Sequence, residues 1–461
     1  MKRSVKLIIA SLFIILLAGI YLLIQALTSP APSTEEEIKA LFSVDKALVD
    51  RISFSTATEE LTIIKKDDGF WYLEDDKDFP LDQDVVTSML TVISPMYSIM
   101  TVTDNCADTS IYGLDNGIRV RIGYGDKELG FTVGSTSDAV EGCYLRFPDS
   151  KAVYLADINA SVAFSHKSRY SVICLDKYPS FNVDSIKDVE ISSLDASLKL
   201  TKEEKRFNAH LGSWAKEESG KSYPVDEALC DELLYLVKGI SFKECADYKA
   251  TKEELGEYFS ESTSLEVSYL YTTKDESSET ITTPVSFTLM LGSPCDGEKS
   301  RYARLGDSDL ICTVDKETAD KITAFLQKDI LDKSIFGFDE ATTDSVKITV
   351  GSKVHLLEKK LSSSEDSEPS TYYILNGIAI DPELSEEITL AITKARADAT
   401  GSFDTSAAPE IIFEFTLNDK TVYTVSLYPA NGEVYAVESD GLCYKSVSKA
   451  VIDGILKLLQ Q

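Results

Sequence analysis

Two short segments of the chain carry a tyrosine and an arginine at matching places, which makes these residues candidates for contact with a ligand or partner. The pairs are Tyr144 with Arg146 and Tyr302 with Arg304. Both lie in segments that the sequence predicts to be strands. The pattern indicates contact with a ligand or a protein partner. The alternative is a polar strand face, or an ion pair with the acidic surroundings.

A second segment resembles a phosphate-binding loop. Residues 215–222 read AKEESGKS, which fits G-x-x-x-x-G-K-S except that Ala215 stands in place of the first glycine. A phosphate-binding loop joins a buried strand to the N-terminus of a helix. This segment instead occupies a polar loop before a helix start, so we expect no nucleotide site.

Other patterns with catalytic or metal-binding spacing are missing from the sequence. The three histidines, at positions 166, 210 and 355, are far apart, and neither G-x-S-x-G nor C-x-x-C occurs. A carboxylate pair for glycoside hydrolysis stays open, since 76 residues are acidic, but the sequence singles out no pair. We therefore predict no catalytic residue, no metal and no cofactor.

The charge of the chain limits its partners. The formal net charge is −30, and the acidic residues are spread along the whole sequence. Nucleic acids attract basic patches, so they are not expected as partners. The distribution is typical of a solvated surface.

The N-terminus has the pattern of a membrane anchor. Residues 1–6 contain Lys2, Arg3 and Lys6, and an apolar run follows from Leu7 to Leu27. About 20 apolar residues span a bilayer core. We expect an uncleaved transmembrane signal anchor at 7–27, a cytoplasmic tip at 1–6 and a juxtamembrane linker at 28–43. The rest of the chain is then extracytoplasmic; cleavage and release is the alternative.

Eight cysteines occur, the first of them at position 106. Disulfides are permitted outside the cytoplasm, but the sequence favours no particular pairing, and buried free thiols are the simpler expectation.

The chain repeats one succession of elements three times. Each copy has two strands, an aromatic strand, a helix, a hairpin, a tyrosine-containing strand, a last strand and a closing helix. The first helices start at Asp82, Asp226 and Asp381, each an N-cap. The tyrosine strands read Tyr144-Leu145-Arg146, Tyr302-Ala303-Arg304 and Tyr435-Ala436-Val437.

The repeat predicts an α+β fold. A transmembrane helix is followed by three tandem modules of antiparallel sheet with Asp-capped helices, at residues 44–178, 179–336 and 337–461. In the third copy only Arg396–Pro409 joins the helix to the hairpin. We expect this copy to keep the sheet and both helices but to lose the excursion that residues 103–116 make in the first copy.

The first copy resembles the domain of unknown function 4340 family. It carries Trp71, Pro80, Asp82, Tyr112-Gly113-Leu114-Asp115, Gly134, Tyr144 and Asp157. The second copy keeps most of these positions, with Leu255-Gly256-Glu257-Tyr258 in place of Y-G-L-D. The third keeps only the helix cap and the closing strands. The resemblance implies a membrane-anchored extracytoplasmic protein associated with ABC transporters, and it brings no catalytic residues.

These observations favour a non-catalytic accessory or interaction subunit of an ABC-type export or cell-envelope complex at the cell membrane. A glycan- or small-ligand-binding protein is the second hypothesis, and an envelope hydrolase is the third.

Overall fold

Three antiparallel sheets of nine strands each make up most of the chain in a computed structural model. The structure describes residues 39–204, 212–274, 278, 280–362, 370–403 and 405–461. The chain divides after Cys174 into two compact units. The first unit contains the first sheet, and the second unit contains the other two.

The first sheet has the strand order β1-β5-β9-β8-β7-β6-β2-β3-β4. Its strands are β1 (Lys39–Phe42), β2 (Val49–Ser55), β3 (Glu60–Lys65), β4 (Trp71–Leu73), β5 (Met96–Thr103), β6 (Ile118–Tyr124), β7 (Lys127–Thr136), β8 (Cys143–Arg146) and β9 (Val153–Ala156).

The second sheet has the order β13-β12-β11-β10-β15-β16-β17-β18-β14. Its strands are β10 (Ile186–Ser192), β11 (Ser197–Lys202), β12 (Trp214–Glu218), β13 (Lys221–Pro224), β14 (Cys245–Tyr248), β15 (Thr263–Lys274), β16 (Thr280–Cys295), β17 (Ser300–Leu305) and β18 (Leu310–Asp315).

The third sheet has the order β22-β21-β20-β19-β24-β25-β26-β27-β23. Its strands are β19 (Thr343–Val350), β20 (Lys353–Ser362), β21 (Ser370–Leu375), β22 (Ile378–Ala379), β23 (Ala399–Thr400), β24 (Ile411–Leu417), β25 (Val422–Pro429), β26 (Val434–Ser439) and β27 (Leu442–Ser448).

Eight strands recur in the same order in all three sheets. In each sheet, a meander of three strands joins a meander of four through one central ladder, which is β2·β6, β10·β15 or β19·β24. The strand that follows the first helix, β5, β14 or β23, pairs with the last strand of the second meander. The ninth strand differs: β1 pairs with β5, whereas β13 and β22 extend the opposite edge.

The helices among the described residues are short. They are α1 (Gln83–Val92), α2 (Asn159–Phe164), α3 (Glu227–Lys238), α4 (Lys252–Tyr258), α5 (Lys316–Ala324), α6 (Pro382–Lys394) and α7 (Lys449–Leu458). Single 3-10 turns occur at Lys46–Leu48, Ser110–Tyr112, Arg169–Val172, Val183–Ser185 and Phe325–Gln327.

Aspartates cap the first helix of each sheet. The side chains of Asp82, Asp226 and Asp381 accept hydrogen bonds from the backbone N–H groups of Asp84, Leu229 and Leu384. Each carboxylate satisfies an N–H that has no partner within the helix. Ser448, at the N-cap position of α7, makes no such side-chain bond.

One face of each sheet packs against its first and its closing helix and forms the core. In the second sheet the buried cluster combines alternate strand residues, such as Val189 and Ile191, with Leu233 of α3 and Ile322 of α5. In the third sheet, Phe413 and Phe415 on β24 take part with Ile388 of α6 and Ile455 of α7. The period-2 pattern of the strands therefore selects the face that the helices cover.

The predicted α+β fold with an N-terminal transmembrane helix is wrong as a fold class. The described residues are mostly antiparallel sheet, and the helices are few and short. The prediction missed the strand after the first helix and the ninth strand of each sheet, because these edge strands are short and lack clear alternation.

No helix among the described residues is long and apolar enough to cross a membrane. The predicted anchor, Leu7–Leu27, lies outside the described residues, as does the cytoplasmic tip. The predicted linker at 28–43 is described only from residue 39, and its end forms strand β1.

The second and third sheets are joined by a segment that bonds to both. In the second module, the N–H of Asp226 donates to Ile330 O over 2.8 Å, and the N–H of Asp332 donates to Pro224 O over 2.9 Å. In the third, the N–H of Ala397 donates to Lys333 O over 2.7 Å. The segment therefore links the start of α3 to the residues after α6.

A buried lysine completes this junction. Lys445 of β27 is fully buried, and its ammonium donates to the carbonyl oxygen of Ser334. The pKa of Lys445 is lowered to about 8, mainly by burial; the carboxylates of Asp332 and Asp440 oppose the shift, and the nearby Arg396 adds to it. The folded chain thus holds a cation at a site with little solvent to stabilise it.

We predict that Lys445 makes stability depend on pH. In the unfolded chain a lysine has a pKa of about 10.4. Between pH 8 and that value the unfolded chain binds a proton that the folded chain does not, so stability should rise with pH there. Relative to Lys445→Met, the free energy of unfolding of the wild type should rise by up to about 3 kcal/mol.

Urea unfolding, followed by the fluorescence of Trp214 in a Trp71→Phe background, measures this difference, since the chain has two tryptophans. Equal pH slopes with and without Lys445 would contradict the prediction.

Candidate functional site

The two predicted tyrosines each pack on a second tyrosine that the prediction did not pair with them. The ring centroids of Tyr144 and Tyr112 are 4.8 Å apart, and those of Tyr302 and Tyr258 are 4.6 Å apart. Tyr112 and Tyr258 come from the segments that join the first helix to the hairpin. These segments, 104–117 and 249–262, therefore contact the sheet face opposite the one that the helices cover. We call them the crossing segments.

A glycine allows each crossing segment to approach the sheet. A Cβ at Gly134 would lie 2.2 Å from Tyr112 O, and one at Gly292 would lie 2.3 Å from Tyr258 O. Neither position has room for a side chain. Close backbone packing thus explains the glycine at each of these two positions.

This contact corrects the alignment of the Y-G-L-D motif. Gly292 meets the carbonyl of Tyr258, as Gly134 meets that of Tyr112. Tyr258 is therefore the counterpart of Tyr112, the first residue of the motif. The prediction instead placed Leu255 at that point. The tyrosine is the residue by which the two segments align, because its ring makes the same contact between segment and sheet in both modules.

The tyrosine pair of the second sheet includes a buried hydrogen bond. Tyr258 Oη donates to Asp247 Oδ2 over 2.8 Å, which connects the crossing segment to strand β14. Burial raises the pKa of Tyr258 and of Tyr302, with the carboxylate of Asp247 adding to both effects. Both phenols therefore stay protonated at neutral pH, and neither is poised as a base.

The two predicted arginines bind the turns of their own hairpins. Arg146 Nε donates to Ser150 O, and Arg304 Nε donates to Ser308 O, each over 2.7 Å. Both side chains are half-buried. The structure thus brings Tyr144 together with Tyr112, and Tyr302 with Tyr258, but commits each arginine to closing a turn.

The third copy does not repeat this arrangement, which corrects its predicted alignment. Leu145, Ala303 and Val437 hold the same ladder position, opposite Val133, Leu291 and Leu427. The residue before them is Tyr144, Tyr302 or Ala436, so Tyr435 is one place out of register. Tyr435 lies in the core instead, because a shift of one residue moves a side chain to the other face.

The remaining sequence motifs contribute no chemistry. The segment resembling a phosphate-binding loop is the hairpin of β12 and β13, with a turn at Ser219 and Gly220. His355 lies near Asn376 on the third sheet, and His210 lies outside the described residues. Among the residues that the structure describes, no group of three or more His, Cys, Asp or Glu side chains is placed to hold a metal ion.

An apolar groove runs between α1 and α2 in the first module, and no sequence pattern predicts it. It has a volume of about 660 Å³. Val85 and Val92 of α1 line one wall, and Val162 and Ala163 of α2 line the other. Met96 and Tyr97 also line the groove. The side chain of Val162 is 69% exposed and that of Tyr97 is 45% exposed. Large apolar groups therefore stand open to solvent.

The hydroxyls on the α1 wall of the groove are bonded within the helix. Those of Thr87, Ser88 and Thr91 donate to carbonyl oxygens of α1 itself. The ring of His166 is bonded to Ala163 O over 3.1 Å, and burial lowers its pKa. The lining is thus mostly apolar, with His166, Asp157 and Asn159 as its other polar side chains.

The shortness of α2 opens the groove. The closing helix α2 has 6 residues, whereas α5 and α7 have 9 and 10. At the corresponding place in the second sheet, between the end of α3 and α5, the cavity measures only about 20 Å³. A groove of this size in the first module is therefore not matched at the corresponding place in the second module.

The fold is a succession of three related antiparallel sheets, and an apolar groove lies beside the first of them. The chain belongs to the family Domain of unknown function (DUF4340), which matches residues 71–217 and 214–412. Comparisons with curated proteins and with solved structures gave no match.

We predict opposite effects for two glycines of the second module. Gly292→Ala places a methyl against backbone atoms, so it should lower the free energy of unfolding by about 1–3 kcal/mol. Gly256→Ala, within α4, meets no atom within 4 Å and should raise it by about 0.5–1 kcal/mol. Urea unfolding monitored by Trp214 fluorescence would measure both. A neutral Gly292→Ala would rule out the close-packing explanation.

Proposed function

We propose that the chain is a non-catalytic interaction subunit of a membrane assembly of the ABC-export or cell-envelope type, acting on the extracytoplasmic side. The observation that carries the proposal is the α1–α2 groove, with its exposed apolar walls. Membership of a family with no assigned activity is consistent with it.

The groove favours one kind of occupant, an apolar segment of a membrane-protein partner. The hydroxyls of the α1 wall are bonded within the helix. A partner therefore gains binding free energy by burying apolar side chains rather than by forming new hydrogen bonds to the walls. Asp157 is the carboxylate that lines the groove, and the chain carries a net charge of −30. A basic residue flanking the apolar segment would complement both.

The predicted Tyr–Arg contacts support this function less well. The rings of Tyr144 and Tyr302 pack on other tyrosines, and Arg146 and Arg304 bind their own turns. A glycan or small ligand would have to displace these contacts. The groove needs no rearrangement to accept a partner.

Site-specific photo-crosslinking in cells tests the groove. A benzophenone side chain at Val162 should form an adduct with a transmembrane subunit of a transporter, identified by mass spectrometry. Ile111 is the matched control, because it is 67% exposed in the same module but lies outside the groove. Val85→Asp on the opposite wall should abolish the adduct at Val162, since it places a charge in the apolar contact. Equal labelling from both positions, or none from Val162, would overturn the proposal.

The location is tested separately. The basic residues Lys2, Arg3 and Lys6 before the apolar run 7–27 favour a single-pass arrangement with the N-terminus inside. Protease added to intact protoplasts should remove a C-terminal tag while a cytoplasmic marker stays whole. A protected tag would show that the location is wrong.

A further inference from the structure

Two cysteines face each other across a ladder of the second sheet. Cys245 on β14 is the direct partner of Cys312 on β18. Directly opposed residues of antiparallel strands have Cα atoms about 4.5–5.5 Å apart, and disulfides need about 4.4–6.8 Å. All eight cysteines fall within the described residues, and no other two are partners in a ladder.

The two thiols differ in access. Cys312 pairs on its other side with Ala303 of the core, and its side chain is almost fully buried. Cys245 lies on the edge strand and is slightly exposed, with its Sγ 3.1 Å from Asp247 O. An oxidant that approaches the edge of the sheet therefore reaches Cys245 first.

We propose that Cys245 and Cys312 are joined by a disulfide that ties the edge strand β14 to β18 when the chain meets a disulfide-class oxidant. The thiolate of Cys245 attacks the oxidant, which releases one thiol and leaves a mixed disulfide. The thiolate of Cys312 then attacks Cys245 Sγ and releases the second thiol. The two cysteines lose two electrons and two protons, and the oxidant gains them.

The surroundings of the pair indicate when the bond forms. The pKa of both thiols is raised to about 12, mainly by burial, and the carboxylate of Asp176 contributes to both shifts. Thiolates are the attacking species in disulfide exchange, so the folded dithiol reacts slowly at neutral pH. The bond is therefore made during folding, before β14 closes over Cys312.

The bond would secure more than one strand. β14 has four residues and an irregular register between Cys245 and Asp247. It also carries Asp247, which holds Tyr258 and through it the crossing segment on the opposite face. Fixing β14 to β18 thus anchors both faces of the sheet at this edge.

Thiol mapping of the purified full chain tests the proposal. The chain is reduced and unfolded in urea, refolded with reduced and oxidised glutathione, then denatured and alkylated. Peptide mapping without reduction should show the 245 and 312 peptides linked, and the other six cysteines alkylated. Native, already folded and reduced chain should form the link at least tenfold more slowly under the same buffer.

Two variants serve as controls. Cys245→Ser should leave Cys312 alkylated, and Cys143→Ser, a buried thiol opposite Ala156 and Thr136, should leave the link intact. Reduction of the linked wild type should lower its thermal midpoint by roughly 5–10 °C.

Alkylation of both cysteines after oxidative refolding, or linkage of either to another cysteine, would overturn the proposal. Mapping of the wild type decides this even if a variant fails to fold. The outcome does not depend on the groove, since no partner is present.

Discussion

The central ladder of each sheet is the constraint on which the rest of the module depends. Within each meander the paired strands are neighbours in sequence, whereas the central pair joins the two meanders across the first helix and the strand that follows it. Phe54 faces Val120, Ile191 faces Leu265 and Ile348 faces Phe413, all of them buried. Forming these contacts closes a long loop, which costs chain entropy that local hairpins do not recover alone. Once this register is set, the positions of the helices and crossing segments follow.

The motifs that define the family are explained by packing between the two meanders and the crossing segment. The tyrosine pairs, the glycines beneath them and the turn-closing arginines belong to one contact, which the first two modules share. In the third module Glu438 holds the position of the arginines. Its carboxylate accepts a hydrogen bond from the N–H of Gly441, so it closes the same turn as an acceptor rather than as a donor. The two family matches begin at or next to the aromatic strands, at Trp71 and Trp214, and run on into the next sheet. The unit that recurs in sequence is therefore offset from the unit that folds as a sheet.

Variation on this common frame produces the features with functional potential. A shorter closing helix leaves the groove in the first module open, whereas the second module fills the same place. The edge strand β14 places two thiols opposite each other, and the third module buries Lys445 where β18 has Cys312 and β9 has Tyr154. These three residues hold one ladder position, opposite Val437, Ala303 and Leu145. The same ladder position thus holds a tyrosine, a cysteine or a lysine, depending on the module.

Local signals in the sequence determined the helix starts, the hairpins and the succession of elements. Asp82, Asp226 and Asp381 cap their helices through N–H groups two or three residues away, so neighbouring residues suffice to predict them. Four other features depend on tertiary contacts. They are the ring partner of Tyr144, the register of Tyr435, the pairing of Cys245 with Cys312 and the opening beside α2. Strand pairs such as β14 with β18, and the contacts of the crossing segments with the sheet, create these features. A register that differs by one residue would reverse the face of every side chain. For that reason the tertiary structure, and not the sequence pattern, decided where the candidate sites lie.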